Sequence, residues 1–252
     1  MTAISLSGVT KRFGRIHALA PIDLTVDDGE VVTVLGPSGS GKTTLLRLVG
    51  GLEAPTSGTV TVLGGDAGRA RAAKQIGFVP QAPALLPWRT VAQNARLLLD
   101  VNRRVPVRGG PSPDELLADV GLSDFAGAYP HELSGGMRQR VALVRAFALG
   151  APLLLMDEPF AALDEITRAD MRHLLARLCE LSATSVLFVT HSIAESVFLS
   201  DRVAVLSLRP GQIVGAVDVA LPRPRQPELE DDPAFFAVET RLRALLHEGA
   251  GR

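Results

Sequence analysis

Val31-Val32-Thr33-Val34-Leu35, Gly36-Pro37-Ser38-Gly39-Ser40-Gly41-Lys42-Thr43 and Thr44-Leu45-Leu46-Arg47-Leu48-Val49 follow one another without interruption, and this stretch decides the fold. The first run is apolar and β-branched, as a central strand buried on both faces reads. The second matches the phosphate-loop pattern in full. The third has the composition of a short helix, stopped by Gly50-Gly51. A glycine-rich loop between strand and helix is the context that makes such a motif specific. Glycines let backbone N–H groups curl around phosphates without side-chain clashes. The helix then points its N-terminal dipole at the anion. Lys42 supplies a point charge to the outer phosphates, and the Thr43 hydroxyl is placed for Mg²⁺.

Working outward, Ile4 and Leu6, then Ile22, Leu24 and Val26, alternate at period two and predict short half-buried strands. Thr59–Leu63, Gln75–Val79, Leu153–Met156, Ser185–Thr190 and Arg202–Ser207 read as further strands. Val91, Ala95, Leu98 and Leu99 have helical spacing, and residues 102–111 read as an exposed loop rich in Arg, Pro and Gly. Ser112-Pro113-Asp114-Glu115 carries a cap, Pro at the first helical position and Glu three residues on. Gly121 closes that helix. A helix is predicted over 165–181, with Ile166, Ala169, Leu174, Leu178 and Leu181 on its apolar side. Strands alternating with helices imply an α/β fold. Residues 1–83 and 151–225 are expected to form the core, 84–150 a helical insertion, and 226–252 a surface tail with one short helix.

The second chemical motif is Leu153-Leu154-Leu155-Met156-Asp157-Glu158. A buried strand carries Asp157 to its carboxyl end, where open parallel sheets place their ligands. Asp157 is expected to hold Mg²⁺, largely through water. Strand alternation points the neighbouring Glu158 elsewhere, and it is the candidate general base for an attacking water.

Bulk properties narrow the partners. The chain has 252 residues, 46% hydrophobic and 21% charged, with 26 basic against 27 acidic side chains. That balance gives no electrostatic case for nucleic acid. The one cysteine, Cys179, excludes an internal disulfide framework and reads as a core thiol. No secretory signal is expected in the first thirty residues, and no apolar run reaches the roughly 18 residues of a membrane span. A membrane role would therefore come through docking on another subunit.

Leu133-Ser134-Gly135-Gly136-Met137-Arg138-Gln139-Arg140 resembles the signature motif of ATP-binding cassette (ABC) proteins. The remaining motifs follow in that family's order: Phe13 in Lys11-Arg12-Phe13-Gly14, Gln81 in Val79-Pro80-Gln81, Ala161-Ala162-Leu163-Asp164, and His191 in Val189-Thr190-His191. The resemblance covers about residues 3–225. It implies a P-loop NTPase core with a mixed, mainly parallel sheet, an N-terminal antiparallel β region and an inserted α-helical subdomain.

By the same resemblance the ligands are ATP and Mg²⁺. Gly36 to Thr44 would hold the phosphates, Phe13 would stack on adenine, Thr43 and Asp157 would address Mg²⁺, Gln81 would contact Mg²⁺ or the attacking water and report on the helical insertion, and His191 would touch the γ-phosphate. Ser134, Gly135 and Gly136 would bind the γ-phosphate of ATP held by a second copy, in a head-to-tail pair with Asp164 across the interface. Two departures, Met137 where Gln is commonest and Ala161-Ala162 where Ser or Gly often precedes Ala, remove no catalytic group.

Leu85-Leu86-Pro87-Trp88-Arg89-Thr90-Val91, Asp157 to Asp164 with Thr167-Arg168, Glu195 to Val203 and Leu208-Arg209-Pro210-Gly211 resemble the importer branch for nitrate, sulfonates and taurine, which also serves vitamin precursors. The implied partners are two membrane permease subunits and, indirectly, an external solute-binding protein, with the chain peripheral on the cytoplasmic face of the inner membrane. Trp88 is either packed within the insertion or part of a docking groove formed by residues 81–91. An exporter ATPase and an ABC ATPase acting on nucleic acid or ribosomes stand as alternatives.

Overall fold

The computed structural model describes residues 1–102, 111–182 and 184–251. Most of the loop expected at 102–111 lies outside the described residues.

The chain begins with two long antiparallel strands, β1 (Thr2–Phe13) and β2 (Ile16–Asp27). The sequence predicts shorter ones. Register shifts between Leu6 and Val9 and beyond break the period-two pattern without ending the strand pairing. Then come β3 (Val31–Leu35), α1 (Lys42–Val49), β4 (Ser57–Val62), β5 (Gly65–Asp66), α2 (Ala67–Ala72) and β6 (Ile76–Val79). The short helices α3 (Val91–Ala95), α4 (Leu97–Val101) and α5 (Pro113–Asp119) lead to α6 (Gly135–Phe147). The chain continues with β7 (Leu153–Asp157), α7 (Glu165–Ser182), β8 (Ser185–Thr190), α8 (Ile193–Leu199), β9 (Arg202–Leu206), β10 (Ile213–Asp218) and α9 (Pro233–Ala250).

One sheet is antiparallel with order β2-β1-β4-β5. The other has order β10-β9-β3-β8-β7-β6 and is parallel except for β10. Every residue of β3, β7 and β8 is buried, as their continuous apolar sequences require. Leu45, Leu46, Leu48 and Val49 of α1 fill the space between the two sheets, together with Ile4, Ile22 and Val34. α5 starts with the predicted capping box between Ser112 and Glu115.

Two expectations are corrected. Ile166 and Leu181 do not face the core: they are 80% and 74% exposed. The buried face of α7 is Met171, Leu175, Ala176, Leu178 and Cys179, and it includes Arg172. An apolar-only pattern misses this face because Arg172 is buried in a fork with Glu230, at 2.6 and 2.7 Å from Nη2. Glu230 precedes α9, so the C-terminal segment is not a surface tail with a short helix. α9 has 18 residues, and Leu229, Phe235 and Leu242 are buried in the core of the parallel sheet.

Candidate functional site

The loop from Gly36 to Gly41 leaves β3 and turns into α1, whose first turn has no side-chain cap. Its free N–H groups are therefore available to an anion. Lys42 is buried, with Nζ donating to the carbonyls of Gly36 at 2.8 Å and Pro37 at 3.0 Å. Ser40 is also buried, and its hydroxyl has no hydrogen-bond partner among the described residues. A cavity of about 310 Å³ opens over the loop. Ser38, Gly39, Gly41, Lys42, Thr43, Thr44, Gln81 and Glu158 line it, joined by Ala18 and Arg209.

β7 lies one strand beyond β8 from β3, and its end delivers both carboxylates. Asp157 Oδ1 accepts a hydrogen bond from Thr43 Oγ1 at 3.0 Å. Burial pushes the Asp157 carboxyl up from the ordinary range; the Thr43 bond opposes this, and the charge of Glu158 adds to it. Glu158 does not follow strand alternation away from the loop. Its φ is +43°, a left-handed conformation that costs a non-glycine residue energy and is characteristic of functional sites. The chain turns there, and Glu158 enters the same cavity. Oε1 lies 3.2 Å from Lys42 Nζ, and Oε2 lies 2.9 Å from His191 Nδ1.

These residues fit the ligands their pattern implies. Thr43, Asp157 and Gln81 offer a hydroxyl, a carboxylate and an amide. Such a sparse oxygen set suits Mg²⁺, which keeps waters and takes further ligands from phosphates. Among the described residues no cluster of His, Cys, Asp and Glu forms a self-sufficient metal cage.

The other predicted residues lie outside this cavity. Phe13 stands at the end of β1, 45% exposed, with Lys11 Nζ 4.8 Å from its ring centroid. Ser134 caps α6 by accepting from Met137 N at 3.2 Å. Gly136 is a glycine because a Cβ there would sit 2.6 Å from Thr167 Cγ2. That close approach sets the signature helix beside the start of α7. There Asp164 Oδ1 accepts from Thr167 N at 3.0 Å, which holds its carboxyl below the ordinary range. Apart from Phe13, the predicted residues thus form two groups: the phosphate loop with Gln81, Asp157, Glu158 and His191, and the signature with Asp164.

Sequence reasoning missed several connections. Arg168 donates to Leu163 O at 2.7 Å and lies 3.9 Å from Glu195, which is buried and accepts from Thr190 Oγ1 at 2.5 Å. Burial raises the Glu195 carboxyl, and the Thr190 bond opposes the rise. This chain of contacts joins the segment before α7 to the strand that presents His191. Arg145 of α6 donates to Pro83 O and Ala84 O at 2.8 and 2.9 Å. Fully buried Asn94 donates to the carbonyls of Leu86, Arg89 and Thr90. Together they hold the segment that follows Gln81. No local motif announces the bonds from Arg145 to Pro83 and Ala84 or the approach of Arg168 to Glu195, because these join elements far apart in sequence.

A phosphate cradle with a carboxylate pair at a nearby strand end defines a nucleotide-hydrolysing protein of the P-loop class. The family model for ABC transporters matches residues 19–161. The chain is 41% identical over 246 residues to a putative ATP-binding protein of Brucella abortus, covering 97% of this chain and 94% of that one. It is 44% identical over 237 residues to an aliphatic sulfonates import ATP-binding protein of Xanthomonas axonopodis, covering 93% of each. Among solved structures it resembles the ATP-binding cassette MJ0796 in a dimeric post-hydrolysis state bound to ADP and Pi. The TM-score is 0.73 at 33% identity, covering 87% of this chain and 100% of that one. The chain belongs to the ABC transporter family and is an ATP-hydrolysing cassette of it.

Proposed function

We propose that this chain is the ATPase subunit of an importer, and that two copies close head to tail on two ATP molecules. The observation that carries the reading is the division of the predicted residues into two groups on one chain. Ser134 and Gly135 are exposed at the start of α6, away from the chain's own phosphate cavity. A helix start with available N–H groups suits a phosphate, and a second copy's ATP would present one. Asp164, beside the signature, would then lie at the same interface. The dimeric cassette bound to ADP and Pi supports this arrangement.

Within each site, Gly36 to Thr44 cradle the phosphates and Phe13 stacks on adenine. Thr43, Asp157 and Gln81 would hold Mg²⁺, which would supply charge neutralisation for the phosphates. Glu158 accepts the proton of the attacking water. His191 holds Glu158 through its 2.9 Å contact and faces the γ-phosphate.

Residues 84–150 act as a helical subdomain that moves relative to the core of 1–83 and 151–225. Arg145 Nη2 donates to Pro83 O at 2.8 Å, which ties the end of the core that carries Gln81 to that subdomain, so phosphate contacts at Gln81 are transmitted to it. Trp88 of the subdomain is 70% exposed and suits docking on a permease rather than internal packing. No helix among the described residues is long and apolar enough to cross a membrane. Two permease subunits supply the membrane path, and the chain works on the cytoplasmic face of the inner membrane. An external binding protein delivers a small organic or anionic solute, and similarity to the sulfonate import protein supports that class.

Co-expression with the candidate permease tests this reading. The pair is expected to purify together and to accumulate solute in vesicles when ATP is supplied on the chain's side. ATPase activity with neither association nor uptake would refute it.

A further inference from the structure

The cavity over the phosphate loop contains one cation that the nucleotide motifs do not account for. β9 runs parallel to β3, with Val205 beside Leu35, so the turn after β9 emerges next to the phosphate loop. Leu208-Arg209-Pro210-Gly211 forms that turn. Gly211 is pressed against the loop: a Cβ there would collide with the Ser40 carbonyl. Its backbone is also bonded on both sides to β2, donating to Ala18 O and accepting from Ala20 N at 3.0 Å each. The turn is thereby clamped between β2 and the phosphate loop.

Arg209 projects from this clamped turn and lines the same cavity as Lys42, Thr43 and Thr44. Its Nη2 lies 3.9 Å from the position of a Cβ at Gly39. The guanidinium is exposed and makes no hydrogen bond or ion pair with another described residue. Lys42, the cation supplied by the motif, is shared between loop carbonyls and Glu158. A planar guanidinium offers paired donors that match phosphate oxygens, which an ammonium does not.

We infer that Arg209 is a further nucleotide-binding residue, gripping the phosphates of ADP and ATP from the Gly39 side of the loop. The inference rests on the reading of Gly36–Thr44 as the ATP site and adds a ligand contact to it.

Calorimetry with ADP, together with displacement of bound ADP by inorganic pyrophosphate, tests the assignment on the full chain. Arg209→Ala is expected to weaken both ligands roughly 5- to 30-fold, as loss of a partly screened charge-assisted hydrogen bond does. Arg209→Lys is expected to recover part of the loss. The melting temperature of the ligand-free protein should not move, because the side chain has no protein partner. Unchanged affinity for ADP in Arg209→Ala overturns the inference. So does weakened ADP binding with unchanged pyrophosphate binding, which would place the contact on adenosine. Lys42→Ala separates the site from the contact: loss of binding there with none in Arg209→Ala removes only Arg209. Failure of the wild-type chain to bind ADP removes the site reading and Arg209 with it.

Discussion

Replacing Glu158 by Gln isolates the hydrolytic step from nucleotide binding. Glutamine has nearly the same shape and keeps a hydrogen-bonding group beside His191, 2.9 Å from the present carboxylate. What it loses is negative charge and the ability to take a proton. A positioned general base contributes about 10²–10⁴-fold, or about 2.7–5.5 kcal/mol of the barrier. ATP turnover should fall by that factor. Binding should behave differently. Glu158 Oε1 now lies 3.2 Å from Lys42 Nζ and competes with phosphate for that charge. Removing an anion from the cavity should leave ATP affinity unchanged or a few-fold tighter. Phosphate release and equilibrium binding of ATP measure the two quantities on the same preparation. Turnover within about threefold of wild type, with ATP still bound, would refute the role of Glu158. A loss of ATP affinity would show instead that the carboxylate serves to hold the loop.

The C-terminal segment should contribute measurably to stability. Glu230→Ala strands the buried Arg172 guanidinium, and breaking a buried pair costs about 3–5 kcal/mol. Glu230 is 28% exposed, which reduces the expectation to about 2–3 kcal/mol by urea unfolding. A change below about 0.5 kcal/mol would contradict the docked position of the segment. Cys179 should resist thiol reagents in the native state, because burial pushes its thiol up to about 12. The sign follows from proton binding: above the ordinary thiol pKa the unfolded chain ionises and the folded chain does not, so stability falls as pH rises through that window. Cys179→Ala should remove this part of the alkaline slope, and an identical slope in the variant would show that Cys179 does not cause it.

The parts of the molecule readable from sequence are those whose cause is local. β3, the glycine loop and α1 are contiguous, and the chemistry of Lys42 and Thr43 depends on that contiguity. Asp157 was legible because β7 is an unbroken apolar run ending on a carboxylate. The cap at Ser112 was legible because a capping box spans four residues. Legibility fails where tertiary contacts override local pattern. Period two points Glu158 away from the loop, but its positive φ turns it back. Apolar spacing selects Ile166 and Leu181 for the buried face of α7, but a charged residue paired with Glu230 occupies it. Acidic residues near 228–232 read as surface, although one of them is the partner of Arg172 and Leu229 among them is buried. Arg209 reaches the phosphate cavity only because β9 lies beside β3, and residue spacing does not encode that adjacency.

In the proposed assembly each phosphate loop is half of a site completed by the signature of another copy. Light scattering on Glu158→Gln, with and without ATP, is the test, because slow hydrolysis would preserve a closed pair. A single chain is expected without ATP and a doubled mass with it. Adding Ser134→Arg should abolish the doubling while leaving ATP bound to each chain. A mass that stays single with saturating ATP, or a pair that forms equally well with Ser134→Arg, would contradict it.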